Sequence, residues 1–331
     1  MDEIENVTVV SVPKSARRVG VPLSPELLTA SAAALEVARR EQADQRAWHI
    51  AVTLPTSRGF EAYAASDAVN WSTLKFMGES PAHYIAAQKN PDKSTAAKAM
   101  GSLYHCLVLE PHAYADRYAI APEVDRRTKA GKKKYAAFLD RIGGRIAVKA
   151  DDVAHAKAMA DATRAHPELA PLIDGSICEV PLWWFEVVDG VPVLCKGLID
   201  WYHIPTGTLV DPKSAISNTH HRFSGVAAKL GYFGQAAHYK AGAGACGLPV
   251  DRVLFPAVEK VPPYDVVPYE MTAGGGLYVG EEMRMRYLRQ FVECTRSGVW
   301  PGRSSVAVPL RVPEYIDPDY GLDLDIHTGD N

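Results

Sequence analysis

Apolar residues recur every three to four positions in several stretches of the chain, the spacing typical of helices with one buried face. One such helix is predicted in residues 25–48, within an N-terminal extension of about 60 residues that is partly helical or flexible and precedes the main domain at 61–331. The next helix takes Ser72 as its N-cap and ends near Gly78, and another begins at Ser80-Pro81.

Two longer helices are predicted further along the chain. Residues 94–110 are Ala-rich, with Ser94 as a plausible cap and Pro111 as the stop. Residues 150–172 show the same composition and spacing. The first half of the main domain is therefore predicted to be mostly helical.

The apolar spacing then changes to every second residue, which indicates strands. The stretch "CEVPLWWFEVVDGVPVLCKGLIDWYHIPTGTLVDPKS" holds three such runs, joined by the hairpin signal Asp189-Gly190 and by "IPTG". Helical spacing returns in "FSGVAAKLGYFGQAAHYKAGAGACG". Two further strands are predicted in "RVLFPAVEK" and "YDVVPYEM", and a last helix in "GLYVGEEMRMRYLRQFVECTRSG". This order predicts an α/β fold whose mixed central sheet carries an antiparallel meander flanked by helices.

Composition narrows the class of protein. The chain has 331 residues, 47% of them hydrophobic, and a formal net charge of -3, so any contact with nucleic acid must be local. Five widely spaced cysteines without a C-x-x-C pair argue against a disulfide framework or a zinc cluster. The sequence shows neither a membrane-spanning run nor a secretory leader, so we expect a cytoplasmic protein.

One segment carries concentrated positive charge. "DRRTKAGKKKY" is predicted to place its cations around a Gly131 hinge, either as phosphate contacts or as an ordinary solvated helix start. The candidate DNA-binding residues are Arg126, Arg127, Lys129, Lys132, Lys133 and Lys134.

The motif "LIDWYHIPTGTLVDPKS" is the strongest candidate for chemistry. Asp211 and Lys213 are two positions apart on a strand and should project on the same side, and the hairpin partner should bring Asp200 beside them. Two close carboxylates favour a divalent cation between them, and hard Mg²⁺ prefers oxygen ligands. By itself, Asp-x-Lys is much more often a surface ion pair than a metal site.

Other residues bear on that choice. His105 lies in an apolar helix one turn after Gly101, and it could be either a metal ligand or a core histidine. Glu179 opens the first strand of the meander, and it could be either an acidic metal ligand or a charged residue of an edge strand. Gln235 and Tyr239 share one helix face and could return toward the meander or face solvent.

Together these motifs resemble the PD-(D/E)xK nuclease superfamily, and more closely the exodeoxyribonuclease VIII (RecE-type) nuclease domain of phages and prophages. The resemblance runs from about residue 63 to 271, through "AVNWSTLKFMGESPAHY", "GSLYHCLVLEP", "DRRTKAGKKKY", "CKGLIDWY", "LVDPKS", "GYFGQAAHY" and "VEKVPPYDV". It implies a restriction-endonuclease-like core and an exodeoxyribonuclease that hydrolyses phosphodiester bonds.

The resemblance also implies roles for individual residues. Mg²⁺, or Mn²⁺ as a substitute, is implied to be bound by His105, Asp200 and Asp211, and Lys213 to position the attacking water. Gln235 and Tyr239 match a Gln-x-x-x-Tyr motif that lines the site, and Glu179 matches a further acidic position of the site.

The family implies a reaction and partners as well. Its members digest linear double-stranded DNA 5′ to 3′, leave 3′ tails for recombination by a single-strand annealing protein, and form ring-shaped homo-oligomers. The alternatives are a catalytically weak or inactive DNA-binding protein on the same fold, or a structure-selective endonuclease. The chain departs from the family at Pro212, where leucine is usual, so the strand is predicted to be bulged, at an edge or finished there.

Overall fold

The computed structural model describes Tyr63, residues 66–89 and residues 96–310, so the helix predicted at 25–48 lies outside the described residues. The described α-helices are α1 Trp71–Leu74, α2 Pro81–Lys89, α3 Ala96–Leu109, α4 Tyr114–Arg117, α5 Lys129–Arg141, α6 Ala150–Ala165, α7 His220–Leu230, α8 Tyr232–Ala245 and α9 Gly276–Ser297. The strands are β1 Tyr118–Ile120, β2 Ile146–Val148, β3 Ser176–Val188, β4 Val191–His203, β5 Thr208–Val210, β6 Lys213–Ala215, β7 Arg252–Glu259 and β8 Val266–Glu270.

The main sheet is mixed, as predicted. β3, β4 and β5 form the antiparallel meander, β5 and β6 both pair parallel to β7, and β8 pairs antiparallel on the opposite edge of β7. The hairpin signal is confirmed, because Asp189 and Gly190 both have positive φ values, of 48° and 77°. This arrangement confirms the predicted α/β class with a mixed central sheet, and the meander runs from the β3 edge to the middle of that sheet.

β5 and β6 are two halves of one strand interrupted at Asp211 and Pro212. Thr208 pairs with Arg252 and Lys213 with Ala257, so the offset to β7 is the same on both sides of the gap. Pro212 has no N–H to donate, which explains why the ladder stops there and resumes one residue later. The predicted distortion of this strand is therefore present.

Helices cover both faces of the sheet. On one face, Trp184, Phe255 and Leu288 belong to a core shared with α7, α8 and α9. On the other face, Trp201 and Leu254 pack with residues of α3 and α6, including Tyr104 and Met159. The strands carrying the candidate site are therefore buried on both sides.

Several local predictions were wrong. Asn70, not Ser72, caps α1, because the Asn70 side chain accepts the Thr73 backbone N–H. α6 ends at Ala165, and a separate 3₁₀ turn follows.

Gly131 is not a hinge. Thr128 caps α5, and Gly131 lies in its first turn, against the Asp125 carbonyl, where a Cβ would collide. The parallel pairing of β1 with β2 was not predicted at all. Residues 90–95, including the proposed cap Ser94, lie outside the described part of the chain.

Candidate active site

The break between β5 and β6 places a buried carboxylate beside a lysine. Asp211 is 0% exposed, and the Lys213 ammonium lies 2.5 Å from its Oδ1. Apart from this ion pair and the neighbouring Asp200 carboxyl, no group within the described structure donates to the Asp211 oxygens. Burial opposes the charged form of Lys213, but the charges of Asp211 and Asp200 outweigh it, so the pKa of Lys213 is raised.

Asp200 lies near this pair because β4 and β5 are antiparallel, with Trp201 paired to Val210, so that Asp200 comes opposite Asp211. The β3–β4 ladder is irregular at the same position. Cys178 pairs with Trp201 and Val180 with Ile199, whereas Glu179 and Asp200 between them are unpaired. Glu179 has a φ of 53°, a strained conformation for a residue with a side chain. Burial, followed by repulsion from Asp211, raises the pKa of Asp200 well above its usual range.

His105 reaches the site from α3 and contacts both β4 and the break between β5 and β6. Its Nε2 lies 2.8 Å from the Pro212 carbonyl oxygen, and its Nδ1 lies 3.4 Å from Oδ2 of Asp200. Burial, and then the charge of Lys213, lowers the pKa of His105 to about 4. The imidazole is therefore neutral at pH 7, the form that binds metals.

Glu179 belongs to an acidic group that extends the site. Burial, and then the charge of Glu110, raises the pKa of Glu179 to about 7. Glu110 forms an ion pair of 2.5 Å with Arg117. Glu110 and Arg117 were not among the predicted site residues, and the only sequence signal for Glu110 is its place in "GSLYHCLVLEP".

Gln235 and Tyr239 share one face of α8, where the Gln235 amide donates to the Tyr239 hydroxyl at 3.3 Å. Burial, and then the charges of Asp200 and Asp211, raises the pKa of Tyr239 well above its ordinary value. The Tyr239 ring lies against Gly197 of β4, where a Cβ would come within 3.1 Å of the ring. The structure therefore brings this pair to the carboxylates.

Tyr63 is a further residue that sequence reasoning missed. Burial, and then the charge of Asp200, raises the pKa of Tyr63 to about 12. The buried Lys196 ammonium holds this segment by donating to the carbonyls of Tyr63 and Ser66, each at 2.6 Å. In the sequence, Tyr63 belongs to no motif that marks it as a site residue.

The basic segment forms an exposed surface on α5 and the turn before it. Arg127 is paired with Asp125, at 3.0 Å between Nε and Oδ1, and the Arg126 guanidinium stacks over Tyr135 at 4.4 Å. The other predicted cations, Lys129, Lys132, Lys133 and Lys134, are exposed. No hydrogen bond or ion pair within the described residues joins these cations to the carboxylates of the site.

Comparison with known proteins identifies the domain. The profile of a family described as "PDDEXK-like domain of unknown function (DUF3799)" matches residues 70–310. The chain belongs to this PDDEXK-like family. The predicted membership of the PD-(D/E)xK superfamily is thus confirmed.

One solved structure of similar fold supports this architecture. A crystal structure titled "Putative exonuclease" from Eubacterium rectale has a TM-score of 0.51 and 15% sequence identity, covering 84% of this chain and 99% of that one. A second, titled "SSO0001", has a TM-score of 0.28 and 13% identity over 62% of this chain and 89% of that one. The search of curated proteins found no match. Among the described residues, no helix is long and apolar enough to cross a bilayer.

The donors in this PDDEXK-like site suit a hard cation. Asp211 offers two fully buried oxygens, of which only Oδ1 contacts the Lys213 ammonium, so the carboxylate retains capacity to bind a metal. The 3.4 Å between His105 and Asp200 is close to the ~3 Å that separates adjacent ligands of one octahedral Mg²⁺. Within the described residues no group of three or more His, Cys, Asp or Glu side chains is already arranged to hold a metal. The donor atoms are therefore of the kind that Mg²⁺ binds, and the side chains would move closer together when the metal binds.

Proposed function

We propose that the chain is a magnesium-dependent nuclease that digests linear double-stranded DNA from its ends. The observation that carries the proposal is the group at the β5–β6 break, where the fully buried Asp211 meets Lys213 and lies beside a second carboxylate, Asp200. One lysine leaves the two carboxylates with excess negative charge, and burial and repulsion from Asp211 hold the pKa of Asp200 high. A further cation between the carboxylates would relieve this repulsion.

Each residue of the site then has a defined task. His105, Asp200 and Asp211 would hold Mg²⁺, which supplies a bound water of lowered pKa and neutralises charge on the phosphate. Lys213, held beside Asp211, would orient the attacking water. Gln235 and Tyr239 would line the wall along which the DNA backbone lies, and Glu179 would add negative charge at the metal side.

The DNA contacts and the direction of digestion belong to the same proposal. The cations of α5 and its preceding turn would bind backbone phosphates at a distance from the chemistry. By resemblance to the RecE-type domain, digestion runs 5′ to 3′ in a ring-shaped homo-oligomer and leaves 3′ tails for a single-strand annealing protein. The family match over residues 70–310 and the name of the Eubacterium rectale protein support a nuclease of this kind.

A second candidate function is DNA binding with weak or no catalysis. The Lys213 ammonium lies on the carboxylate that a metal would need, and Pro212 interrupts the strand that carries both residues. If that ion pair is too stable to open, the fold binds DNA without cleaving it. A structure-selective endonuclease would share the chemistry but would not require a DNA end.

The three functions are separated by one comparison of substrates. End-labelled linear duplex and closed circular duplex are incubated with the purified protein and Mg²⁺, and with the variants Asp211→Ala and Lys213→Ala. We expect the linear duplex alone to be shortened, and both variants to lose cleavage while retaining DNA binding. Equal cleavage of the circle would favour the endonuclease, and binding without cleavage would favour the second candidate.

A further inference from the structure

The Lys213 ammonium rests on two aromatic rings as well as on Asp211. Its Nζ lies 4.7 Å from the centre of the Tyr232 ring and 5.4 Å from the centre of the Phe255 ring. The two rings are stacked, with centres 5.7 Å apart and an angle of 26° between their planes. The lysine is thus enclosed by a carboxylate on one side and by aromatic faces on another.

The local backbone explains why the rings meet at this point. Tyr232 is the first residue of α8, directly after Gly231, whose φ of 77° lets the chain turn from α7 into α8. Phe255 follows Leu254 on β7, and the Leu254 carbonyl accepts the Asp211 N–H at 2.9 Å. The Phe255 ring is therefore fixed by the strand that holds Asp211, and the Tyr232 ring by the start of α8.

We propose that Tyr232 is a positioning residue that, with Phe255, holds Lys213 beside Asp211 when the carboxylate shares its charge with a cation. This rests on the proposed nuclease function. A lysine held by Asp211 alone would lose attraction once a metal competes for the same oxygens. The attraction between the ammonium and the ring faces does not depend on Asp211, and it is strongest at a desolvated site such as this one.

In this role the ring of Tyr232, and not its hydroxyl, holds the Lys213 ammonium. Within the described structure no hydrogen bond is made by the Tyr232 hydroxyl. Phenylalanine should therefore replace tyrosine at this position, whereas leucine should not. Tyr232 also packs on Phe223, with ring centres 6.2 Å apart, so a loss of core packing must be distinguished from a loss of the lysine contact.

Three variants of the full chain make that distinction. Tyr232→Leu removes the ring, Tyr232→Phe keeps it, and Phe223→Leu loosens the same aromatic group without a contact to Lys213. With linear duplex and saturating Mg²⁺, we expect Tyr232→Leu to lower kcat by about 5- to 30-fold with KM unchanged. Tyr232→Phe and Phe223→Leu should stay within about twofold of the unmodified protein.

A second readout does not depend on activity. Ring currents of Tyr232 and Phe255 should shift the Lys213 side-chain methylene resonances upfield in protein carrying labelled lysine. The shift should shrink in Tyr232→Leu and persist in Tyr232→Phe and Phe223→Leu. An unshifted Lys213 in the unmodified protein, or a Tyr232→Leu variant with unchanged shift and unchanged kcat, would overturn the positioning role.

The two proposals can fail separately. If the unmodified protein cleaves no DNA, the nuclease function fails, and the resonance shifts still decide whether the rings hold Lys213. If the protein cleaves DNA and Phe223→Leu lowers kcat as much as Tyr232→Leu, the effect is general packing, and the proposed role of Tyr232 is wrong.

Discussion

The carboxylate pair at the site makes a prediction about stability that needs no nuclease assay. Asp200 is only 15% exposed, and burial and the charge of Asp211 both disfavour its ionised form. Asp200→Asn keeps the shape of the side chain and removes the charge. Removing the burial cost and the repulsion from Asp211 is worth about 1.4 kcal/mol for each pKa unit by which they disfavour the ionised form. In metal-free buffer the variant should therefore be more stable than the unmodified protein, by roughly 2–4 °C in Tm per kcal/mol.

Magnesium should reverse that order. A ligand at one hundred times its Kd stabilises the folded state by about 2.7 kcal/mol, and the variant has lost one of the groups proposed to bind it. Denaturant unfolding is measured in EDTA and at several Mg²⁺ concentrations. The control Asp161→Asn removes an exposed surface carboxylate paired with Lys157 and should show neither effect. A variant less stable than the unmodified protein in EDTA, or an equal gain from Mg²⁺ in both, would refute the reasoning.

Three further predictions follow from the charge, packing and burial of other residues. Reversing the lysines at 132–134 to glutamate should weaken DNA binding and flatten its salt dependence, because fewer counterions are released when fewer phosphates are contacted. Gly280→Ala should destabilise the fold by about 1–3 kcal/mol in denaturant unfolding, because the new Cβ would collide with the Phe233 backbone carbonyl between α8 and α9. Relative to His238→Gln, the unmodified protein should lose stability more steeply as the pH falls below about 6.5, because burial and the charge of Arg284 lower the pKa of His238 to about 3, so the unfolded chain takes up the proton first.

Matched variants control each of these measurements. Lys157→Glu reverses an exposed lysine on α6 and should leave DNA affinity unchanged, and affinity unchanged in the triple variant too would make the basic helix an ordinary solvated surface. Gly244→Ala lies in open space in α8, the helix that carries the Phe233 carbonyl, and should stabilise it by about 0.5–1 kcal/mol. His238→Gln retains a donor for the Lys196 carbonyl and should lose stability less steeply with acid, and an equal slope would contradict the role of His238.

Most of the fold could be predicted from the sequence because its helices and strands follow the apolar spacing. The meander with its Asp189-Gly190 hairpin, the paired strands β7 and β8 and the final helix all lie where that spacing indicates. Ends of helices are less well determined, because neighbouring polar residues compete as caps. Asn70 and Ser72 are both good N-caps. In the structure the side-chain Oδ1 of Asn70 accepts from the Thr73 backbone N–H and from the Ser72 hydroxyl.

The site could be predicted only in part. Strand alternation was enough to expect Asp211 and Lys213 side by side, and the structure places them so. Glu110, Tyr63 and Tyr232 come from elements distant in sequence, and no local pattern shows which part of the sheet they meet. The positive φ of Glu179 likewise arises from the ladder around it, and glutamate by itself gives no indication of such a conformation.

The central claim is that the carboxylates at the β5–β6 break form the metal centre of a nuclease. Its most direct test is a crystal structure of the protein with Mn²⁺, in which anomalous scattering locates the ion. We predict one peak at about 2.0–2.3 Å from a carboxylate oxygen of Asp200 and of Asp211, with His105 turned toward it. Lys213 should remain against Tyr232 and Phe255. The absence of a peak there at saturating Mn²⁺, with Lys213 still 2.5 Å from Asp211, would contradict the account.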